Sequence, residues 1–314
     1  MKKIFTTIVL FFTGFALLFP VVTHILVPKD NSADAGIHDY WAKGFLAEPE
    51  NTIDVLFLGD SELYCCVVPL IIWEEHGITS YTCGTSDQKP YQTESFLYRV
   101  FETQSPKIVL LETNVLYRDY SSTDRIPHFF EETFPLLRYH DRWKNLTMGD
   151  FMDPVSFTHI ERNKGYIYSD KVIPADNTAT YMLPSQDVAA MPSKSVRHLE
   201  RMAAFCREQG AQLILFSSPS TQNWDSMRHN GTAQVTERLG LVYIDMNLLP
   251  QEVPIDWQLD TQDTGDHMNY DGAEKVTKYL SAYLGNLGIF RDKRTDPAFE
   301  AWNRNLADFR STNP

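Results

Sequence analysis

Short apolar runs recur along this chain, separated by stretches with helical spacing. Ile53 to Leu58, Ile78 to Cys83, Ile108 to Leu111, Leu213 to Phe216 and Leu241 to Ile244 read as strands. Val67 to His76, Tyr91 to Thr103, Ser195 to Gln209, about Asn230 to Leu239 and Lys275 to Leu287 read as helices, with Gly77 and Gly210 as stops. Ile108-Val109-Leu110-Leu111 is apolar at every position, as expected of a strand covered on both faces. Alternation of such strands with helices predicts an α/β fold, a mostly parallel sheet between two helical layers.

Sheets of that kind bind ligands beyond the carboxyl ends of their strands. Ser61, Gly84, Asn114, Ser217 and Ser218 all follow expected strands. Ser61 stands in Gly59-Asp60-Ser61-Glu62, directly after Val55-Leu56-Phe57-Leu58. About two hundred residues later comes Asp263-Thr264-Gly265-Asp266-His267-Met268-Asn269, followed by Asp271-Gly272. A serine hydroxyl is a weak nucleophile at neutral pH, so it needs an imidazole to take its proton and a carboxylate to orient that imidazole. Ser61 is the candidate nucleophile and His267 the candidate base. Asp263 and Asp266 are both candidates for the orienting acid. A helical turn would bring Asp263 beside His267, whereas the adjacent Asp266 would point away in an extended chain and could cap the turn. An oxyanion would be held by the Ser61 amide, by Gly84, where glycine lets backbone approach a substrate, and by the Asn114 side chain.

The N-terminus is of another kind. Lys2 and Lys3 precede an uncharged apolar stretch from Ile4 to about Val27. At about 1.5 Å per residue it is long enough to cross a ~30 Å hydrocarbon layer. Lysines ahead of it favour a cytoplasmic N-terminus, so the expectation is a single-pass signal anchor (residues 1–28) in the cell membrane with the remainder extracytoplasmic; a cleaved signal is the rival. Residues 29–50 read as a stalk, 51–290 as the catalytic domain and 291–314 as an amphipathic tail. Residues 119–190 carry many aromatics and Pro135, Pro154, Pro174 and Pro184, and read as an inserted cap. Within it, Arg138, His140 and Arg142 beside Tyr139 and Trp143 suit a sugar or an anion, since aromatics stack on sugars and Arg forks onto anions. Asn145-Leu146-Thr147 and Asn230-Gly231-Thr232 match the short glycosylation sequon. The formal net charge of −13 argues against nucleic acid as a partner. Cys65, Cys66, Cys83 and Cys206 contain no Cys-x-x-Cys spacing, so a zinc or redox motif is not expected. A bridge from Cys65 or Cys66 to Cys83 and unpaired buried thiols both remain open.

Gly59-Asp60-Ser61, Gly84, Asn114 and His267 together resemble the conserved blocks of the SGNH (GDSL-like) hydrolase superfamily, over about residues 50–290. The resemblance implies a flavodoxin-like α/β/α sandwich, no metal or other cofactor, and acyl-ester hydrolysis or acyl transfer through a serine acyl-enzyme. The anchored layout is similar to the D-alanyl transfer protein of teichoic-acid modification and to SGNH-type polysaccharide O-acetyltransferases. Two departures stand out. The usual Gly-x-Asn-Asp block is Glu112-Thr113-Asn114-Val115 here, and Thr264 occupies the acid position of the usual Asp-x-x-His. The expected function is a cell-envelope serine esterase or O-acyltransferase acting on acyl, chiefly acetyl, esters of a surface glycan. A transferase would work beside a multi-pass membrane acyl donor. The alternatives are a catalytically inactive glycan-binding or scaffold protein of the same fold, and a lipase or thioesterase, which would need an apolar acyl cleft.

Overall fold

In the computed structural model, five strands among the described residues form one parallel sheet: β1 (Val55–Gly59), β2 (Ser80–Gly84), β3 (Ile108–Glu112), β4 (Gln212–Ser217) and β5 (Val242–Asp245). Their order is β2-β1-β3-β4-β5. Val55 pairs with Ser80 on one side and Ile108 on the other, and Gly59 lies opposite Gly84. The described residues are 2–121, 123–176 and 178–313. Met1 at the head of the expected anchor, Ser122 and Asn177 in the expected insertion, and Pro314 at the end of the tail lie outside them.

The helices, in chain order, are α1 (Lys2–Leu26), α2 (Tyr40–Lys43), α3 (Ser61–Cys66), α4 (Pro69–His76), α5 (Pro90–Phe101), α6 (Arg125–Thr133), α7 (Pro135–Arg138), α8 (Met148–Met152), α9 (Ser193–Glu208), α10 (Ser226–Leu239), α11 (Tyr270–Asn286) and α12 (Glu300–Thr312). Alternation along the strands makes the layers. Val55, Phe57, Ile108, Leu110, Ile214 and Phe216 pack with residues of α3, α4, α11 and α12. Leu56, Leu58, Val109, Leu111, Leu213 and Leu215 pack with α5 and α9. Each such buried aliphatic side chain contributes about 1.5–3 kcal/mol relative to exposure. The product is the expected three-layer α/β/α sandwich.

Local chemistry moves several element boundaries. α11 starts at Tyr270, ahead of the expected Lys275, because Asn269 caps it by accepting the Gly272 amide at 3.2 Å. α10 starts at Ser226, ahead of Asn230, because Asp225 accepts the Arg228 amide at 2.8 Å. The four cysteines are buried free thiols.

The chain divides into two compact units, Trp41–Asp119 with Ile160–Pro314, and Met1–Tyr40 with Tyr120–His159. These boundaries correct two sequence expectations. The second half of the expected stalk belongs to the α/β unit: Tyr81 Oη donates to the Trp41 carbonyl at 2.7 Å, Trp41 Nε1 donates to the Gly84 carbonyl at 3.0 Å, and Phe45 is fully buried. The end of the expected insertion, residues 160–190, rejoins the same unit. The Thr82 amide donates to the Lys164 carbonyl at 2.9 Å. Gly165 follows at φ +90°, where a Cβ would lie 2.0 Å from the Thr82 oxygen, so glycine is required. Lys164 Nζ meets Glu48 Oε1 at 2.6 Å, both buried, and ties the two corrected segments together. The expected amphipathic tail is α12, which seats Trp302 and Phe309 in the core.

The other unit is built on α1, whose span Lys3–Leu26 is long and apolar enough to cross a membrane, as a signal sequence would also be. The chain after it pairs with residues 156–159: Ser156 donates its amide to the Lys29 carbonyl (2.7 Å), and the Thr158 and His159 amides donate to Asp30 Oδ1 (2.6 and 3.1 Å). α1 packs against α7, α8 and the 3-10 turn His140–Asn145.

Candidate active site

β1 ends at Gly59, Asp60 turns the chain, and Ser61 opens α3. Asp60 caps that helix by accepting the Glu62 amide on Oδ1 at 3.1 Å. Ser61 is the first helical residue, so its amide is among the donors that a helix leaves unsatisfied. A Cβ on Gly59 would lie 2.8 Å from that of Glu112, and one on Gly84 would lie 2.9 Å from the Asp60 carbonyl oxygen. Glycine at both positions lets the ends of β1, β2 and β3 close around the Ser61 turn. This is also where the strand order reverses, between β1 and β3, the place where open α/β sheets leave a crevice.

His267 is positioned by a hairpin. Thr261 and Met268 form an antiparallel bridge, and the Gln262 amide donates to the His267 carbonyl at 3.1 Å. Thr264 (φ +65°) and Gly265 (φ +91°) form a two-residue turn with both φ positive, as the tightest hairpins require. The expectation of a helical turn is therefore corrected, although the same two residues meet. His267 Nδ1 donates to Asp263 Oδ2 at 2.5 Å, and the His267 amide donates to Asp263 Oδ1 at 2.7 Å. Asp266 Oδ2 is farther from Nδ1, at 3.6 Å. Asp263 thus supplies the orienting contact even though Thr264 stands in the usual acid position. With Nδ1 carrying the proton, Nε2 is the basic nitrogen; it is buried and has no hydrogen-bond partner. Burial pushes the imidazole down, but the Asp263 hydrogen bond and the Asp266, Asp263 and Asp60 charges outweigh it and hold His267 above its ordinary value. Burial pushes Asp263 up, but its bonds from His267 hold it below the usual carboxylate range.

Asn114 begins the turn after β3. Its Nδ2 donates to Asp60 Oδ2 at 3.2 Å, and its Oδ1 accepts from Arg228 Nη1 at 3.0 Å. Since Oδ1 is held by a cation, the amide group must face the Ser61 turn, with one of its two N–H bonds left over. Ser217 and Ser218 are scaffold: Ser217 Oγ bonds Thr113 Oγ1 at 2.6 Å, and Ser218 Oγ donates to Glu112 Oε1 at 3.2 Å.

The sequence reading missed a second tier of charged groups. Arg118 Nε donates to Asp60 Oδ2 at 2.6 Å. Asn223 Nδ2 donates to Glu62 Oε1 at 2.7 Å and also to Asp266 Oδ1. Glu112 Oε2 accepts the Asn114 amide at 2.8 Å. Burial, reinforced by the Asp60 charge, raises Glu112 to about 8, and burial with the Glu112, Asp60 and Asp266 charges raises Glu62 well above its ordinary value. Burial also raises Asp60, against the pull of Arg118. Burial thus favours the protonated form of Glu112 at neutral pH and disfavours the charge on Glu62. Glu62 and Glu112 flank positions already marked by the strand-end rule, so that signal was available. Arg118, Asn223 and Arg228 lie on loops and a helix start whose convergence has no local pattern.

Arg138, His140 and Arg142 belong to the other compact unit. Arg142 pairs with Asp150 at 2.6 Å and donates to the Leu26 carbonyl at 2.7 Å, so its guanidinium is committed to holding that unit together. His140 is exposed and lies 3.0 Å from Asp141. Arg138 stands over the Tyr139 ring. For a metal, Asp263, Asp266 and His267 are the grouping among the described residues, with ligand atoms within 4.8 Å of one another. A cation there would occupy the atoms that orient the imidazole.

No family model and no curated protein matches the sequence. Solved structures do. The neighbours are GDSL-like hydrolases and esterases. A GDSL-like lipase from Bacteroides thetaiotaomicron has 11% identity and a TM-score of 0.41, covering 79% of this chain and 96% of its own. A psychrotrophic esterase from a Pseudoalteromonas species has 10% identity and a TM-score of 0.40, covering 74% and 97%. An acetyl xylan esterase has 10% identity and a TM-score of 0.41, covering 74% and 100%. At such scores these are likenesses only, and the site is read from this chain's own residues.

Proposed function

We propose that this protein is a serine acyl-ester hydrolase or acyltransferase of the SGNH type, acting on small acyl esters, chiefly acetyl, of a surface glycan. The observation that carries the proposal is His267: Nδ1 is held by Asp263 at 2.5 Å, while Nε2 is buried, basic and without a hydrogen-bond partner. Ser61 attacks the acyl carbonyl as Nε2 takes its proton. The Ser61 and Gly84 amides and Asn114 Nδ2 receive the oxyanion. The imidazolium returns its proton to the leaving alkoxide, and water or a glycan hydroxyl, deprotonated by the same nitrogen, releases the acyl group.

The ring of Asp60, Glu62, Asn223, Arg118 and Arg228 favours a small acyl group and a polar alcohol over a long apolar chain. Lys2 and Lys3 at the start of α1 favour an extracytoplasmic site, where a surface glycan is the polyol at hand. A transferase would draw its acyl group from a membrane donor protein.

The full chain in detergent, treated with a fluorophosphonate and peptide-mapped, should carry one adduct, on Ser61, that is lost in His267→Ala. A folded wild type that takes up no adduct would overturn the mechanism.

A further inference from the structure

The unit built from Met1–Tyr40 and Tyr120–His159 turns several large apolar side chains outward. Trp143, Met148, Phe151 and Met152 are 65%, 78%, 49% and 76% exposed, and Leu137 and Phe130 are also exposed. Two polar contacts are enclosed, Arg142 on Asp150 and Asn31 on the His159 backbone, while His140 and Asp141 stay exposed. Large exposed apolar side chains gathered in one short segment mark an interaction face.

The contacts with α1 set its depth. Arg142 Nη1 donates to the carbonyl of Leu26, the last residue of the helix. The Phe134 ring meets the Phe19 ring edge-on at 5.9 Å. Phe19 lies seven residues before Leu26, about 10 Å down the helix axis at ~1.5 Å per residue. If α1 fills a ~30 Å hydrocarbon layer, Phe134 lies alongside it at acyl-chain depth, while Arg142 lies near the helix end. Asp30, Asn31 and their 156–159 partners lie beyond that end. The unit therefore grades from apolar beside the helix to polar past its terminus, with Trp143, Tyr139 and Arg138 close in sequence to Arg142, the residue that marks the boundary. Aromatic and cationic side chains are those that settle at a headgroup boundary.

We propose that residues 120–159 are a membrane-embedded shoulder, seated in the bilayer leaflet that holds the C-terminal end of α1, with lipid as the occupant of their exposed apolar face. The proposal rests on α1 spanning the bilayer and is independent of the esterase chemistry. It also gives the inserted segment a role apart from substrate binding: it turns a single-helix tether, free to swivel, into a broad footing.

The test uses the full chain in vesicles of equal parts phosphatidylcholine and phosphatidylglycerol. The four native cysteines are buried, so a polarity-sensitive thiol dye reports on single introduced cysteines, with wild type as background. Met148→Cys, Phe151→Cys and Trp143→Cys are compared with Val9→Cys in α1 and with Arg207→Cys on the α/β unit. The expected result is blue-shifted emission at 148, 151 and 143, quenching by doxyl-labelled lipid, and loss of quenching by aqueous iodide, as at position 9 and unlike position 207. Patch labels that behave like position 207 while position 9 is lipid-quenched would overturn the proposal and leave the anchor intact. A position 9 exposed to iodide would overturn it by removing the span. Patch labels shielded in native membranes but not in pure lipid would assign the face to a protein partner and overturn the lipid reading.

Discussion

The two compact units solve the same packing problem with opposite signs. In the α/β unit, Phe57, Leu110 and Phe216 are fully buried and charge gathers at the strand ends. In the unit built on α1, large apolar side chains face outward and a salt bridge sits inside. Both hold an enclosed ion pair with N–O of 2.6 Å, Lys164–Glu48 in the first and Arg142–Asp150 in the second. The contrast teaches that a hydrophobic surface is an error only relative to its solvent, and that residues 120–159 group with the apolar helix α1.

Ser61→Ala should sharpen the contrast most, since it removes the chemistry of one unit without touching the other. Turnover of an activated acetyl ester should fall by ~10⁵–10⁶-fold with unchanged unfolding. Asp263→Asn should cost on the order of 10⁴-fold, because the amide can hold the wrong imidazole tautomer. Wild-type kcat/KM should rise with pH through an inflection above the ordinary histidine value of 6.5, and residual activity of Asp263→Asn should inflect at lower pH. Lys164→Met should lower unfolding free energy by about 3–5 kcal/mol by leaving Glu48 buried without its cation.

Glu112→Gln should have a smaller effect with a distinctive pH signature. Glu112 is raised in the folded protein to about 8 from the ordinary 4.5, so the folded state binds the proton more tightly than the unfolded state. Stability is therefore present below pH 4.5 and falls as pH climbs through the folded value. Glu112→Gln should flatten that fall, by a few kcal/mol across the window, in denaturant titrations at a series of pH values. Trp143→Ala should change unfolding in detergent by only about 0.5 kcal/mol or less. A loss of several kcal/mol would show that Trp143 is packed in the protein and would break the comparison.

Much of the α/β unit was legible because its determinants are local. Continuous apolar runs marked five strands, and their succession with helices implied a parallel sheet. Gly59-Asp60-Ser61 announced a tight strand-to-helix turn. The boundaries of the insertion were not legible, because Trp41, Phe45 and Tyr166 look alike in sequence whether they line a stalk, a cap or a core. Asp263 and Asp266 could not be separated until the Thr264-Gly265 turn placed one of them on Nδ1.

What the sequence by itself determined is the layered α/β architecture, the apolar N-terminal helix, and the placing of Ser61 after a strand and of His267 in a late loop. These follow from periodicity and turn chemistry over a few neighbouring residues. Only the tertiary structure decided that Arg228 holds Asn114, that Arg118 holds Asp60, that burial raises Glu62 and Glu112, and that residues 120–159 belong with α1. Those outcomes depend on which distant segments share a low-dielectric space, and burial and charge act through space rather than along the chain.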